Sequence, residues 1–311
     1  MTENYKPEGM LLGTRENDER TSSLDAIRSA LINGTIIEGR AVLCDHMHNL
    51  IVDIGGYQGI IPREEALFSR EGEEQREIAV ITRVGKPVCV KVTSVSEDED
   101  GVKIYLSRRL AQKECYESYI KELRAGDVIG AKITHMEPFG CFCDIGCGII
   151  SLLAIDCISV SRISHPKERF FVGQYINAIV KRSTAHDGRI TLSHKELLGT
   201  WEENVALFSQ GETVAGIVRS IESYGIFIEL SPNLAGLAEW REDVFPGQCA
   251  AVYIKSIIPD KMKIKLVIVD NFSCESKMPK ARYYIDGGRI DAWRYSPDGC
   301  EKIIETVFDD S

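Results

Sequence analysis

Residues 126–153 carry the pattern that decides the fold: GDVIGAKITHMEPFGCFCDIGCGIISLL. An apolar alternation leads to an aromatic residue, a glycine, a small residue and a second aromatic, and then to an acidic residue and a turn. The same order recurs in residues 211–240, GETVAGIVRSIESYGIFIELSPNLAGLAEW, and more weakly in residues 33–62, NGTIIEGRAVLCDHMHNLIVDIGGYQGIIP. Self-similarity of this kind predicts an array of repeated units.

Each copy ends on a further pair of predicted strands. A glycine opens an apolar alternation, a polar turn follows, and a short strand closes the copy. These endings occupy residues 84–109, 172–196 and 246–270. Period-two alternation separated by turns that contain Gly and Asp predicts antiparallel strands. About five short strands in roughly 70 residues fit a small closed barrel, and the five-stranded OB barrel is the natural candidate.

The fold class that follows is mainly β: a tandem array of three five-stranded OB-fold barrels joined by short helices, with a small C-terminal β-hairpin element. Asp286-Gly287-Gly288 predicts the turn of that hairpin. The predicted divisions are a polar flexible tail (1–23), a helix with a divergent first barrel (24–110), a helical connector (111–123), a second barrel (124–197), a second helical connector (198–210), a third barrel (211–270), and a linker with a small β-rich element (271–311).

Composition narrows the function classes. No run approaches the roughly 18 apolar residues that a membrane span needs, and the polar N-terminal stretch is not a secretory signal. The ten cysteines, in a chain without a secretory signal, are expected to be free thiols. They follow no paired CxxC spacing, which argues against a structural zinc site. We expect no cofactor and no membrane contact.

Charge is distributed unevenly along the chain. The net charge of −10 argues against a strongly basic nucleic-acid binder, but it averages over the whole surface. The second copy, residues 124–197, carries nine Lys/Arg against seven Asp/Glu, whereas the first and third copies are acidic. An anionic ligand would therefore meet least repulsion at the second copy.

The segment Pro138–Gly146 of the second copy places Phe139 and Phe142 an odd number of residues apart. In a regular strand their side chains would point to opposite faces, but a bulge at Gly140 could bring both rings to the outer face. Two exposed rings form a stacking surface for nucleic-acid bases, each worth about 1–3 kcal/mol. Tyr224 and Phe227 repeat the unit in the third copy.

Two other interpretations of this segment remain open at the sequence level. Both phenylalanines could belong to the core of the barrel. Cys141, Cys143 and Cys147 could bind zinc with a histidine, although small apolar residues facing inward fit the cysteine positions equally well.

Basic residues near the aromatic unit could contact the nucleic-acid backbone. Arg189 could pair with phosphate or stack on a base, or it could be an ordinary solvated arginine. Lys181 and Arg182, at the end of the preceding strand, could follow the backbone or form a surface charge pair. The insertion 161–170, SRISHPKERF, could add phosphate contacts or form a solvated helical turn.

The three copies resemble the S-one repeat, the RNA-binding OB-fold of the ribosomal protein S-one family. The second copy is the most similar, through FGCFCDIG, VGQYINAIV and DGRITLSHK. The resemblance covers residues 33–270 and rests on several motifs in the same order. The whole chain is similar to short S-one-like proteins of Gram-positive anaerobes.

The resemblance assigns a nucleic-acid face made of two aromatics, a histidine, an aspartate and an arginine. In the second copy these positions hold Phe139, Phe142, Asp187 and Arg189, and the histidine position falls near Leu153. The corresponding residues of the third copy are Tyr224, Phe227, Asp260 and Lys263, with Glu239 at the histidine position. The first copy departs from the pattern with His48, Ile51, Lys103 and Pro62.

These observations favour a non-catalytic single-stranded RNA-binding protein of the translation apparatus, which captures messenger RNA at the small ribosomal subunit. The resemblance implies contact with small-subunit proteins through the first copy, and we expect a cytoplasmic, ribosome-associated monomer. An enzyme is not expected, because the residues outside the copies are too few for a nuclease core and show no catalytic motif. The alternative is a protein-interaction adaptor, or an RNA-decay or regulatory factor, built from the same barrels.

Overall fold

The computed structural model describes residues 5–69, 80–99, 101–183, 190–273 and 281–309. These residues form three closed five-stranded barrels, as the three copies predict. The strands of the first barrel are β1 (Ile36–Cys44), β2 (Leu50–Ile54), β3 (Tyr57–Ile61), β4 (Pro87–Asp98) and β5 (Gly101–Ser107); those of the second are β6 (Val128–Glu137), β7 (Gly140–Asp144), β8 (Ile150–Ala154), β9 (Tyr175–Ser183) and β10 (Ile190–Ser193); those of the third are β11 (Thr213–Glu222), β12 (Gly225–Ser231), β13 (Leu234–Ala238), β14 (Cys249–Ile258) and β15 (Lys263–Phe272).

All three barrels have the same strand order. The first barrel runs β1-β2-β3-β5-β4 and closes by antiparallel pairing of β1 with β4. The third strand pairs in parallel with the fifth in each barrel, and the other neighbours whose pairing is defined run antiparallel. This order is that of the OB-fold, so the predicted fold class is confirmed.

The chain divides into two compact units. The first comprises Met1–Leu123, Gly130–Lys132 and Asp144–Ile150; the second comprises Arg124–Ile129, Ile133–Cys143 and Ser151–Ser311. The first unit thus contains the whole first barrel, the second unit contains the third, and strands of the second barrel contribute to both.

Inward-facing aliphatic side chains fill the barrels. In the first barrel Ile37, Val52 and Leu106 come from three different strands and are fully buried. Val218, Ile228 and Leu266 do the same in the third barrel, and the core cluster there also includes Trp201. Each fully buried side chain of this size contributes about 1.5–3 kcal/mol, which explains why the alternation of the sequence fixes the barrel register.

Four α-helices are described: α1 (Arg15–Thr21), α2 (Leu24–Asn33), α3 (Arg108–Ser118) and α4 (Trp201–Val205). The side chains of Thr14, Ser23, Ser107 and Thr200 accept a backbone hydrogen bond at their N-termini, as helix caps do. Within the described ranges, none of the helices has the length and apolarity needed to cross a membrane.

The expectation of a flexible tail over residues 1–23 is wrong for its described part. Residues 15–21 form α1, and Glu8 is buried. The buried carboxylate of Glu38 accepts hydrogen bonds from the backbone N–H groups of Leu11 and Leu12, at 2.8 and 2.6 Å. Asn17 bonds the backbone N–H and C=O of Glu38, at 2.8 and 2.9 Å. Residues 5–23 are therefore polar without being mobile, since several of their polar groups form hydrogen bonds with buried partners.

The C-terminal hairpin exists, but its turn is not at Asp286-Gly287-Gly288. Its strands are β16 (Ala292–Arg294) and β17 (Glu305–Val307), which pair antiparallel. The glycine segment instead runs beside the second barrel, where the Gly288 carbonyl accepts a hydrogen bond from Val128 N–H at 2.9 Å. Pairing with a barrel strand satisfies this backbone without a tight turn.

The expectation that all ten cysteines are free thiols also needs correction. Among the residues that the structure describes, eight cysteines are free, but Cys249 is disulfide-bonded. Cys249 begins β14 and lies opposite Phe272 at the end of the β14–β15 ladder. The expectation of free thiols rested on the absence of a secretory signal, which does not decide the state of an individual cysteine.

A buried histidine lies between the second barrel and the C-terminal segment. The ring nitrogen Nδ1 of His194 lies 2.9 Å from the Ile158 carbonyl, and Nε2 lies 3.2 Å from the Tyr283 hydroxyl. Because a carbonyl can only accept, Nδ1 carries the proton and Nε2 accepts from the tyrosine. Burial, with a smaller contribution from the charge of Arg169, lowers the pKa of His194 to about 4, although the hydrogen bond to the Ile158 carbonyl opposes this shift.

We expect His194 to make the protein acid-labile. An unfolded histidine takes up its proton near pH 6.5, whereas the buried ring resists until about pH 4. The unfolded chain therefore binds more protons between these values, and stability falls as the pH falls, by on the order of 3 kcal/mol. Urea unfolding of the wild type and His194→Gln from pH 7.5 to 4 tests this. The variant should lose less stability with acid, whereas the exposed control His46→Gln should follow the wild type; an equal loss in His194→Gln would contradict the assignment.

Candidate nucleic-acid interface

An aromatic pair lies at the tip of the β6–β7 hairpin in the second barrel. Phe139 occupies the two-residue turn between the strands, and Phe142 is the third residue of β7. Their ring centroids are 6.0 Å apart, and the rings meet edge to face at 89°. Phe139 is 55% exposed and Phe142 is half-buried. The interpretation that both rings belong to the core is therefore wrong.

The third barrel repeats this arrangement. Tyr224 lies in the turn between β11 and β12, and Phe227 is the third residue of β12. Their centroids are again 6.0 Å apart with an angle of 89°, and Tyr224 is 68% exposed. Two separate stretches of sequence thus build the same exposed pair at the same position of the barrel.

The hairpin turn, rather than a bulge, brings the rings together. Gly225 pairs with Glu222, which leaves only the two residues between them in the turn. Gly140 begins β7 in the same way. A Cβ on Gly140 would lie 2.4 Å from the Leu153 carbonyl oxygen, and one on Gly225 would lie 2.5 Å from that of Ala238. The glycine is needed because the neighbouring strand passes so close.

The cysteines of the motif face inward. Cys141 and Cys143 are completely buried, which confirms that they fill the barrel interior. Burial raises the pKa of the Cys141 thiol to about 12, so it stays protonated at neutral pH. Cys147 is also buried and lies among Cys89 and Cys115. Within the part of the chain that the structure describes, no group of three or more potential metal ligands converges.

Strand register places further residues on the aromatic face of the third barrel. Phe227 lies opposite Ser220 on one side and Leu237 on the other, and Leu237 pairs with Lys265 of β15. Lys263 lies two residues before Lys265 and faces the same side, because strand side chains alternate. Lys263 is predicted from the sequence, whereas Lys265 is not, although the alternation of β15 could have revealed it.

The second barrel has a comparable row of residues that pair across neighbouring strands. Thr191 of β10 pairs with Leu152 of β8 and with Arg182 of β9. Arg182 is exposed, so its guanidinium is available on the outer surface of this row. Arg182 is thus the predicted basic residue that the register connects most directly to the aromatic face.

Lys181 points elsewhere. The β9–β10 register shifts between Arg182 and Val180, so Lys181 is left outside the regular pairing. Its Nζ donates a hydrogen bond to Cys157 Sγ at 3.1 Å, and this bond raises the pKa of Lys181. Asp187 and Arg189 lie outside the described residues, so their predicted roles stay predictions.

The insertion in the second barrel is a helical turn rather than a free basic loop. Pro166–Glu168 form one 3-10 turn capped by His165. Arg169 follows, and its side chain is buried against the carboxylate of Glu229 in the third barrel. Its charge is therefore engaged within the protein, whereas Arg162 and Lys167 are exposed.

The first barrel presents a different surface at the same position. Five residues separate β1 from β2, and the Asp45 carboxylate accepts hydrogen bonds from Met47 and Asn49 N–H within this turn. Lys103 forms an ion pair with Asp98 at 2.7 Å. The row equivalent to Ser220–Phe227–Leu237–Lys265 consists of Leu43, Ile51, Ile60 and Tyr105. This row is apolar and offers no cation.

Two other positions that the S-one resemblance assigns to the nucleic-acid face hold acidic residues in the third barrel. Glu239, at the histidine position, is exposed after β13, and Asp260 lies in the exposed 3-10 turn Pro259–Lys261. Pro62 of the first barrel precedes the 3-10 turn Arg63–Glu65. Carboxylates at these positions would repel a phosphate placed nearby.

Comparison with known proteins gives relatives over most of the chain. Small ribosomal subunit protein bS1 of Staphylococcus aureus (strain COL) is 27% identical over 276 residues, which cover 84% of this chain and 68% of that protein. The resemblance to the S-one family is confirmed. The bS1 of Staphylococcus haemolyticus (strain JCSC1435) matches with the same identity and coverage. No family model matches the chain.

Among solved structures that are similar to this chain is a multidomain protein with nucleic acid binding domains from Streptococcus pneumoniae TIGR4. It is 14% identical, and the match covers 78% of this chain and 75% of that chain with a TM-score of 0.25. The OB-fold assignment rests on the strand order within each barrel rather than on this likeness.

Proposed function

We propose that the protein is a non-catalytic single-stranded RNA-binding protein of the translation apparatus, which captures messenger RNA at the small ribosomal subunit. The observation that carries the proposal is the exposed aromatic pair that occurs with the same geometry in the second and third barrels. The staphylococcal bS1 relatives are small ribosomal subunit proteins, which supports the ribosomal setting. The site of action is then the cytoplasm, and the working form is a ribosome-associated monomer.

Each aromatic pair holds bases by stacking, and nearby cations contact the backbone. Phe139 with Phe142 and Tyr224 with Phe227 supply the rings. In this proposal Arg182 and Arg189 supply charge in the second barrel and Lys263 supplies it in the third, and Asp187 belongs to the set that the S-one resemblance implies. Stacking depends little on base identity, so the binding is tolerant of sequence. Two linked sites bind more tightly than either alone, because the second contact becomes intramolecular.

The first barrel has a different role in this proposal. Its row of Leu43, Ile51, Ile60 and Tyr105 is apolar, and the barrel has neither aromatic pair nor free cation at that row. Such a surface favours contact with a protein, and we assign it to docking on the small subunit. The same row favours the second candidate function, a protein-interaction adaptor.

Removing the aromatic pair of the second barrel should weaken RNA binding. We expect Phe139→Ala/Phe142→Ala to bind a labelled, unstructured U-rich 20-mer RNA at least about tenfold more weakly than the wild type in fluorescence anisotropy. Binding should also weaken as salt rises, because phosphate contacts release counterions. The control is Tyr105→Ala, which removes an exposed ring from the first barrel and should leave affinity unchanged.

The stability of the double variant separates binding from packing. Phe139 is exposed and Phe142 is half-buried, so the double variant should lose much less stability than the about 3–5 kcal/mol that each substitution would cost if the ring were in the core. A folded wild type that does not bind the RNA would overturn the proposal and favour the adaptor. If the double variant is folded and binds normally, we would conclude that the RNA binds elsewhere on the protein.

A further inference from the structure

A third ring accompanies the aromatic pair in the second barrel alone. His135 lies on β6, at the position that Ser220 occupies on β11 of the third barrel, opposite the second aromatic of the pair. The imidazole centroid is 6.1 Å from that of Phe142, and the two rings are inclined by 29°. Nearly parallel rings at this separation are displaced sideways, so together they present a wider flat surface.

His135 is exposed and held in place. Its side chain is 61% exposed, and its Nε2 lies 2.7 Å from Oε1 of Glu137, two residues along the same strand. The Thr134 hydroxyl donates a hydrogen bond to the Phe142 carbonyl at 3.0 Å, which ties β6 to β7 beside the rings. The imidazole is therefore preorganised: its orientation is fixed in the unbound protein.

The chemistry of this site favours a base over a phosphate. The Glu137 carboxylate occupies Nε2 and would repel a phosphate at that nitrogen. The open face of the imidazole continues the surface of Phe142, and flat aromatic faces bind nucleobases by stacking. The third barrel, with a serine at this position, offers two rings where the second barrel offers three.

We propose that His135 is a third stacking residue, so that the second barrel binds one more unpaired base than the third barrel and is the tighter of the two RNA sites. The proposal rests on the proposed RNA-binding function. Neither the aromatic pair nor the positions that the S-one resemblance assigns include this residue.

The test uses the full chain and the U-rich 20-mer RNA, with two substitutions at this position. His135→Ser installs the residue that the third barrel has, and His135→Phe keeps a ring but removes the titratable nitrogens. We expect His135→Ser to weaken binding by about fivefold or more, since one stacked base is lost, and His135→Phe to stay within about twofold of the wild type. Unfolding transitions of both variants should match that of the wild type, because the side chain is exposed.

The outcomes separate this inference from the function on which it rests. If His135→Ser binds as the wild type does while Phe139→Ala/Phe142→Ala loses affinity, the stacking role of His135 is ruled out, whereas the RNA site at the aromatic pair is supported. If His135→Phe is as weak as His135→Ser, the ring is not what binds and the inference is likewise overturned. If the wild type itself does not bind, the proposed function fails first.

Discussion

Replacing Glu229 by alanine should lower the free energy of unfolding by about 3–5 kcal/mol. The Glu229 side chain is only 6% exposed, and two arginines converge on its carboxylate. Arg219 donates from Nε and Nη2 at 2.8 and 3.0 Å, and Arg169 donates from Nη2. Without the carboxylate, two largely buried guanidinium groups face each other.

Glu168 cannot replace the lost charge. It already pairs with Nη1 of Arg219, and it is the more exposed of the two carboxylates. Burial lowers the pKa of Arg169, and Glu229 is the main charge that opposes this effect. Within the described ranges, the other side chain to which Arg169 donates is that of Ser159, a neutral hydroxyl at 3.4 Å. An uncompensated charge in such surroundings is strongly destabilising.

The measurement is urea unfolding of Glu229→Ala beside Glu222→Ala. Glu222 is an exposed glutamate at the end of β11, the strand that carries Arg219, and its loss should change stability by less than about 0.5 kcal/mol. A triple replacement of Arg169, Arg219 and Glu229 by apolar residues of similar volume should recover much of the loss. If Glu229→Ala costs as little as the control, the cluster does not stabilise the fold.

This cluster also bears on the candidate interface. Arg169 belongs to the insertion of the second barrel, and Glu229 belongs to β12, the strand that carries Phe227. The aromatic pair of the third barrel is therefore built on a hairpin that is ion-paired to the second barrel. If both pairs bind RNA as proposed, this link limits their relative motion and favours binding of one strand at both sites.

The sequence predicted the barrels, and it offered the exposed aromatic pairs as one of the interpretations left open, with a bulge where the structure has a two-residue turn. Both depend on local patterns: alternation decides which residues face the core, and a two-residue turn with a following glycine fixes where Phe139 and Tyr224 lie. The repetition of the pattern within one chain strengthened the inference, because core packing alone gives no reason for an aromatic residue at the same turn twice.

The features that the sequence did not predict depend on strand register and on partners that are distant along the chain. The direction of Lys181 follows from an irregularity in the β9–β10 pairing that no local motif marks. Lys265 joins the aromatic face only through parallel pairing of β13 with β15. The turn assigned to Asp286-Gly287-Gly288 had the residues of a hairpin, but backbone partners in the second barrel decided its structure.

The N-terminal segment provides the second large prediction. We expect Glu8→Ala to lower the free energy of unfolding by about 3–5 kcal/mol, although sequence composition places Glu8 in a polar tail. Arg108 donates to both carboxylate oxygens of Glu8, from Nε at 2.7 Å and from Nη2 at 3.0 Å. The Arg108 side chain is 2% exposed, and that of Glu8 is 6% exposed. The backbone N–H of Cys89 also donates to this carboxylate, at 3.2 Å.

The pKa of Arg108 shows how strongly the pair is coupled. Burial alone would lower that pKa, but the charge and hydrogen bonds of Glu8, with a smaller contribution from the charge of Asp144, raise it overall. Arg83 lies 3.5 Å from the same carboxylate, so the substitution would leave two cations without their shared anion. Asp144 is nearby, and burial, with the charge of Glu8 adding to it, raises its pKa to about 7. Burial is the larger cause and remains when Glu8 is removed, so ionising Asp144 to replace the lost charge still carries a desolvation cost.

Glu19→Ala is the matched control for Glu8→Ala, and urea unfolding is the measurement. Glu19 is in the same N-terminal segment and also pairs with an arginine, Arg15, but both side chains are largely exposed. An exposed pair is worth less than about 1 kcal/mol, so this variant should unfold close to the wild type. If residues 5–14 were a free tail, both variants would be indistinguishable from the wild type. A large effect confined to Glu8 would establish instead that a bidentate ion pair between residues 100 positions apart holds this segment in place.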